Sequence, residues 1–598
     1  MTQTMRQGLI TLIYKNKGNH TDLKNWRPIS LLNIDYKILS KILTNRIKQT
    51  LGNIINKQQT CGEKGRNITN NILSIKSILE YMEQKEIDGA LVLIDQEKAF
   101  DRVETNFMLK SLEKFGFGEN MIRWIQTLYT NITSKVQVNG TRTKPFKIER
   151  SVRQGCPLSM LLYIICIETL RIKIQNDPQI EGIKVPNIQE ICKTFQHADD
   201  SNHFITNIRS FQKLLDQYNS FGKASGALIN HNKTEVLLIG NWRGNHPGLP
   251  PEYIKLKVKV LGVYFGQESK DLNYKAITQK LRKHIQIWTD RQLTLLEKTH
   301  VAKTYLYNSI WHEFDITDFE FSYLNKIEGL IIKYIWNNGI AKIPKYTLQK
   351  DGERGGTGIP NLRIKQLTNY LYRINSLTSK PDYYWQGIYI FWFGTYLKHN
   401  LEIYTNNTLT KTLQPPRSQY RITNAILSYR EVYEIMHSDS KEKIFNILRD
   451  RVTKINKNKV EKEHQHFNWQ EIWTNWNRIK NIKKKSKLLE YLHDAWWTQE
   501  KAYYRKIIRE IPVCPICRTN RDSKLHIILH CTGLKTQRLA IINLIKQKLG
   551  DFTNTHLLYT HNITDKTLYK QVITFKLTAI ETRRRNISLP RAPSPRRK

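Results

Sequence analysis

Two short stretches of the chain carry carboxylates where strands should end. In Leu91-Val92-Leu93-Ile94-Asp95-Gln96-Glu97-Lys98-Ala99-Phe100-Asp101, a run of apolar β-formers stops at Asp95. In Thr194-Phe195-Gln196-His197-Ala198-Asp199-Asp200-Ser201-Asn202-His203-Phe204-Ile205, two adjacent aspartates sit between short apolar segments, the pattern of a hairpin tip. Neighbouring side chains in a strand or tight turn diverge, so one aspartate can face a partner strand while the other points away. Three carboxylates meeting on two strand ends repel one another unless a cation neutralises them. Hard divalent ions such as Mg²⁺ suit carboxylate and phosphate oxygens. Two such ions can clamp the attacking and leaving oxygens of a phosphoryl transfer. Neither stretch decides anything by itself, because an Asp-Asp pair is more often a solvated turn.

A second constellation lies near the other end. Cys514-x2-Cys517-x8-His526-x4-Cys531 offers three thiols and an imidazole at a spacing that suits tetrahedral Zn²⁺, with His530 as a rival ligand. Three of the seven cysteines fall within these eighteen residues, which argues against four unconnected side chains. Arg518, Arg521 and Lys524 give the cluster basic flanks. Upstream, Lys483-Lys484-Lys485 with Trp473, Trp476, Trp496 and Trp497 offers phosphate contacts paired with base stacking. A Trp stripe is more often core.

These groups need elements to hold them. Apolar residues at Ile34, Ile38, Leu39, Ile42, Leu43 and Ile47 follow helical spacing. Residues 89–94 read as a buried strand, 104–131 as helices, and 135–139 as a strand ending in an Asn139-Gly140 turn. Strands and helices alternate over the first ~265 residues, which predicts an α+β or α/β arrangement. After about residue 270 the chain turns Lys-rich, Trp-rich and helical, punctuated by a loop at Gly355-Gly356-Thr357-Gly358 before Pro360. The Arg-, Pro- and Ser-rich segment 583–598 reads as a disordered tail or a nuclear signal.

Bulk properties narrow the class. A chain of 598 residues exceeds one core, and 40% hydrophobic content excludes a disordered polycation. Lys and Arg number 95 against 52 Asp and Glu, a net charge of +43 spread along the chain, which favours a nucleic-acid partner. An odd, sparse cysteine count argues against a secreted disulfide framework. The N-terminal stretch lacks the apolar core of a signal peptide. The best apolar run, residues 160–170, is interrupted by Glu168 and too short for a membrane helix. The expected compartment is reducing, nucleus and cytoplasm, with no membrane.

Over residues 8 to about 265 the chain resembles the reverse transcriptase of LINE-type (non-LTR) retrotransposons. Lys24-Asn25-Trp26-Arg27-Pro28-Ile29-Ser30-Leu31 resembles the family's fingers motif. Asp95 through Asp101 resembles its first catalytic motif, and Arg153-Gln154-Gly155-Cys156-Pro157-Leu158-Ser159 its second. Ala198-Asp199-Asp200 matches the catalytic hairpin. Ser225-Gly226 through Asn230, Lys233 and Glu235 resembles the next motif, and Val260-Leu261-Gly262-Val263 the primer grip. The resemblance implies that Lys15, Arg27 and Arg66 contact the nucleotide, and that Phe100 blocks a ribose 2′-OH. It also implies that Gln154 and Gly155 line the nucleotide and template path. Asp95, the backbone carbonyl of Gln96, Asp199 and Asp200 would hold two Mg²⁺. Lys233 would give a proton to pyrophosphate, and Leu261 and Gly262 would hold the primer. The Cys/His spacing is similar to the zinc knuckle near the C-terminus of these proteins, which implies one structural Zn²⁺. Partners implied are an RNA template, a DNA primer or target, and deoxynucleoside triphosphates. Two departures stand out: His197 replaces the usual Tyr or Phe, and the segment around Cys61-Gly62-Glu63-Lys64-Gly65-Arg66 lacks the family's aromatic and proline.

The expected fold is α+β, a right-hand polymerase (fingers, palm, thumb) followed by a mainly α-helical C-terminal region with a small zinc knuckle. Expected bounds are 1–265 for fingers and palm and 266–350 for the thumb. A helical, basic nucleic-acid-binding region would cover 351–510, the knuckle 511–550, and a helix with a basic tail 551–598. The family usually carries an endonuclease upstream, so the expectation is a chain cut off on its N-terminal side. The competing reading is a catalytically idle remnant that only binds nucleic acid. An RNA polymerase is disfavoured by Phe100.

Overall fold

The structure is a computed structural model. It describes residues 1–377 except 17, 246 and 247, then 381–401, 415–416, 419–422, 440–455, 461, 468–493, 495, 513–549 and 571–579 except 573 and 577. The chain forms two compact units. The first comprises Met1–Tyr274, Asp315–Asp318 and Tyr370–His437; the second comprises Lys275–Phe314, Phe319–Asn369 and Ser438–Lys598.

The first unit mixes sheet and helix, as the alternating pattern predicts. Its N-terminal sheet orders as β2 (Trp26–Leu32), β1 (Gln7–Tyr14), β4 (Thr133–Val138), β5 (Thr141–Arg142), with β6 (Phe146–Lys147) also paired to β4. Strands β1 and β4 run parallel and the other pairs antiparallel. The turn from β4 to β5 is Asn139-Gly140, with φ of 49° and 82°, the left-handed pair that a two-residue hairpin requires.

A four-stranded antiparallel sheet follows, in the order β7 (Thr194–His197), β8 (Asp200–Ile205), β3 (Gly89–Ile94), β9 (Glu235–Ile239). Both faces of β3 are covered, which explains its unbroken apolar run. Ala90, Val92 and Ile94 join one core with α5 (Thr105–Lys114), α7 (Ser159–Asn176) and α8 (Ile208–Ser225). Leu91 is equally buried but faces the other way, out of that core. Helix α3 (Ile68–Gln84) packs against the helix Tyr384–Leu401, where Trp392 Nε1 donates to Gln84 Oε1 at 2.7 Å. A hairpin of β10 (Lys257–Val260) and β11 (Val263–Gly266) completes the unit's strands. Helix α2 (Ile34–Ile54) forms where its spacing predicts, yet only part of the apolar set faces inward. Leu43 and Ile47 are buried, whereas Ile34, Ile38 and Ile42 are 72%, 56% and 46% exposed.

The second unit is helical in its described residues. Thr294 and Glu297 form a capping box that starts the helix Leu295–Val301. The predicted glycine loop is present: Gly355 has φ +70°, and a Cβ there would lie 2.4 Å from the Trp473 ring. Trp473 and Trp476 are 1% and 2% exposed, so these two belong to the core and cannot stack on bases. Trp496, Trp497 and the tail 583–598 lie outside the described residues. Among the described residues no helix is long and apolar enough to cross a membrane.

The first unit contains a buried charge triad. Asp318 pairs with Lys76 and, at 3.7 Å, with Arg373. Burial would push its carboxyl up, but the two cations hold it below the usual carboxylate range. Removing one partner strands buried charge, so Asp318→Asn is expected to destabilise this unit by about 3 kcal/mol. Lys57→Met, which breaks the exposed pair with Asp382, should cost less than about 1 kcal/mol. Urea midpoints of the two variants measure this, and equal shifts would show that the triad contributes no more than a surface pair.

Candidate active site

The register of the central sheet brings the three aspartates together. Strand β3 pairs with β8 through Ile94 and Ser201, so one step further Asp95 stands opposite Asp200. Strands β7 and β8 are joined by the two residues Ala198 and Asp199, with His197 paired to Asp200. Ala198 adopts φ +56°, a left-handed conformation that costs a residue with a Cβ roughly 1 kcal/mol. The electrostatics are those of crowded like charges. Burial, then Asp199 and Asp95, push the Asp200 carboxyl up to about 6. Burial and Asp95 also raise Asp199, against the pull of His197 and Lys233.

Cationic and amide groups answer on one side. Lys233 Nζ lies 3.1 Å from Asp95 Oδ2, and Asn230 Nδ2 donates to the same oxygen at 2.9 Å. The Asn230 N–H donates to the Asp95 carbonyl at 2.9 Å, so the segment after α8 is tied to this strand end. Three converging carboxylates are the donor set that divalent cations fit. Gln96 is buried, with its Oε1 accepting from the Tyr163 hydroxyl at 3.3 Å.

Next to the carboxylates, Phe100 lies on α4 (Ala99–Arg102) and stacks on Tyr163 with ring centroids 4.5 Å apart. Gln154 Nε2 donates to both oxygens of Asp101 at 3.2 Å, linking the first motif to the second. The Gln154 carbonyl accepts from Ser30 N–H at 2.9 Å. Gly155 has φ +110°, and a Cβ on it would come within 2.4 Å of the Ser30 carbonyl, so only glycine fits. Arg153 is buried and structural: it donates to the carbonyls of Arg6 and Thr133 and lies over the Tyr36 ring.

The remaining residues divide. Lys15 and Arg27 are exposed on the β1–β2 hairpin, Lys15 with its Nζ on the Lys24 carbonyl at 2.7 Å. Arg66 spends its guanidinium on the backbone carbonyls of Ile55, Asn56 and Gln59 and makes no hydrogen bond to the three aspartates. Leu261 and Gly262 form the turn between β10 and β11, at φ 47° and 93°. In the second unit, the ligand atoms of Cys514, Cys517, His526 and Cys531 all lie within 4.8 Å of one another. Cys514 Sγ is 3.9 Å from Cys531 Sγ, and Cys517 Sγ is 3.2 Å from His526 Nε2. Metal–ligand bonds of about 2.0–2.3 Å would require separations of this kind.

Several residues escape a sequence reading: Asp101 as the partner of Gln154, and Gln59, Thr60 and Asn71 beside the β7–β8 hairpin. Asn71 offers the one faint signal, an amide inside the apolar face of α3 where it is fully buried.

Residues 13–265 match the family described as reverse transcriptase (RNA-dependent DNA polymerase). The chain is 27% identical over 386 residues to the transposon TX1 uncharacterized 149 kDa protein of Xenopus laevis, covering 61% of this chain and 29% of that one. It is 24% identical over 398 residues to the RNA-directed DNA polymerase from mobile element jockey of Drosophila melanogaster, covering 62% and 42%. It thus spans less than half the length of either relative. A telomerase structure from Candida tropicalis covers 75% of this chain and 64% of its own at 11% identity with a TM-score of 0.35, too shallow to bear on the fold. The matched domain is that of a nucleotidyltransferase, an RNA-directed DNA polymerase. The relatives that match it are transposon and retrotransposon proteins, so this domain is similar to reverse transcriptases of the LINE, or non-LTR, type.

The raised Asp200 carboxyl has a measurable consequence. A carboxyl lifted on folding favours the native state below its ordinary value near 4, and that advantage is lost as pH rises through about 6. Asp200 keeps an exposed face, so solvent screening trims the effect to roughly 1 kcal/mol. In metal-free protein, Asp200→Asn is therefore expected to gain stability relative to wild type between pH 5 and pH 7. Parallel melting curves for the two proteins across that range would count against the repulsion.

Proposed function

We propose that the chain extends a DNA 3′-hydroxyl on an RNA template with deoxynucleoside triphosphates, as the polymerase of a LINE-type retrotransposon priming at its DNA target. The observation that carries this is the convergence of Asp95, Asp199 and Asp200 on one end of the central sheet, with Lys233 against Asp95. In this reading the N-terminal sheet is the fingers and the central sheet the palm. Residues 266–350 supply the thumb, 351–510 a basic helical region and 511–550 the knuckle.

Each side chain then has a task it can perform. Lys15 and Arg27 present exposed cations to the triphosphate. Phe100, held by its stack on Tyr163, excludes a 2′-hydroxyl. Asp101 fixes the Gln154 amide, and glycine at 155 lets the backbone of the second motif approach β2. Lys233, whose ammonium lies beside Asp95, would give a proton to departing pyrophosphate. Asp95, the Gln96 carbonyl, Asp199 and Asp200 would hold two magnesium ions, which when bound supply the positive charge that activates the primer hydroxyl and neutralises the leaving group. In the second unit, Cys514, Cys517, His526 and Cys531 would hold one structural zinc, and the basic flanks suit RNA or DNA.

Primer extension on an RNA template with Mg²⁺ tests the polymerase. Asp199→Ala should lower the rate about a thousandfold or more. Absence of product from wild type would instead support the idle nucleic-acid-binding remnant. Phe100→Ala should raise ribonucleotide use relative to deoxynucleotide use about tenfold; wild type that uses both equally would point to RNA synthesis.

Zinc is tested separately. About one equivalent should survive dialysis of the wild-type chain, and Cys514→Ser should release it. Equal zinc in both proteins would remove the knuckle.

A further inference from the structure

The catalytic hairpin sits at a vulnerable place, since β7 is the outermost strand of its sheet. An edge strand presents unpaired backbone N–H and C=O groups. This edge is covered by residues 58–60, which run beside it in parallel. The Gln196 N–H donates to the Gln58 carbonyl at 3.1 Å, and the Thr60 N–H donates to the Gln196 carbonyl at 3.1 Å. The contact continues past the end of β7 through a side chain. Gln59, fully buried, accepts on its Oε1 from the Ala198 N–H at 3.0 Å and from the Cys61 N–H at 3.2 Å. Ala198 is the left-handed residue that immediately precedes Asp199. A non-glycine residue keeps such a conformation only where its surroundings over-determine it.

The covering strip is itself clamped. Arg66 donates to the carbonyls of Ile55, Asn56 and Gln59, and Glu168 Oε1 accepts from the Asn56 N–H at 3.3 Å. Asn71 Nδ2 bridges strip and strand, donating to the Gln58 carbonyl at 2.8 Å and the Gln196 carbonyl at 2.9 Å. Thr60 Oγ1 lies 3.0 Å from His197 Nδ1, so the ring beside the hairpin is held by the same strip.

We infer that Gln59 is a positioning residue for nucleotidyl transfer: its side-chain carbonyl fixes the turn at Ala198 and so aims the Asp199 carboxylate, with Arg66 and Asn71 as its rigid support. It touches no substrate. The inference rests on the polymerase reading for its kinetic consequence, but the structural consequence stands apart from it.

Gln59→Met keeps the length and removes the acceptor. In the metal-free full chain, hydrogen exchange at the Ala198 amide is expected to quicken about fivefold, the loss of one neutral hydrogen bond. Amides of α5 and α8 should exchange as in wild type. In single-turnover extension the maximal rate should fall about ten- to a hundredfold, with the KM for deoxynucleotide within about twofold. Thr60→Val, which removes the hydroxyl beside His197 but keeps Gln59, should leave the Ala198 amide at its wild-type exchange rate. Unchanged exchange at Ala198 in Gln59→Met, uniformly faster exchange throughout the unit, or a raised KM at full rate would each overturn the inference. If wild type fails to extend any primer, the polymerase reading falls, while the exchange comparison still decides whether Gln59 holds the turn.

Discussion

Asp95, Asp199 and Asp200 are held at one end of a single sheet, and their mutual repulsion is the constraint to which the neighbouring elements respond. Left to itself the hairpin would relax outward and separate the charges. Three features oppose that. The antiparallel register of β3 with β8 fixes Asp95 opposite Asp200. Lys233 and Asn230 both bond the Asp95 carboxylate, and the Lys233 ammonium offsets its charge. The strip 58–60 closes the free edge of β7. The sheet can bear the load because both faces of β3 are packed, so the strand end has little freedom to shift.

Part of the backbone strain falls in the motif segments. Lys98, Ala198 and Leu261 all have left-handed φ values, at 50°, 56° and 47°, and none is glycine. Each turns the chain sharply at a motif: after Asp95, before Asp199, and between β10 and β11. A glycine would remove the strain but also the preference for one geometry. Gly155 shows the opposite case, since contact with the Ser30 carbonyl leaves no room for a side chain. One site therefore uses strained residues where direction matters and glycine where approach matters.

Much of this was legible in the residues because it depends on local pattern. An apolar run ending at Asp95 reads as a buried strand with a charged tip, and it is one. Asn139-Gly140 reads as a hairpin turn, and it is one. The Cys/His spacing reads as a cluster, and the four ligand atoms meet. What stayed hidden depends on tertiary partners. Helical spacing cannot tell that Ile34, Ile38 and Ile42 lie on the open side of α2. Nor can it separate Trp473 and Trp476 as core from tryptophans offered to bases. Arg66 sits in a motif that suggests phosphate, yet its five donors suit converging carbonyls equally well, and the fold supplies those. Gln59 and Asn71 are common residue types whose roles arise only when distant backbone groups come within reach.

The two clusters differ in a way that bears on how each would treat a metal. The carboxylates are partly open: Asp95 is 30% exposed and Asp200 more so. On the proposed reading, hard oxygen ligands at an open rim would let cations arrive with a nucleotide and leave with pyrophosphate. Two of the three thiols are closed in, while Cys517 is half-buried. Cys514 and Cys531 are fully buried, and burial pushes the Cys531 thiol up to about 12. A thiol so reluctant to ionise in isolation needs a soft cation to hold it as thiolate, so binding there is coupled to proton release. If both clusters hold metal as proposed, the exposure of their ligands would suit one to turnover and the other to permanence.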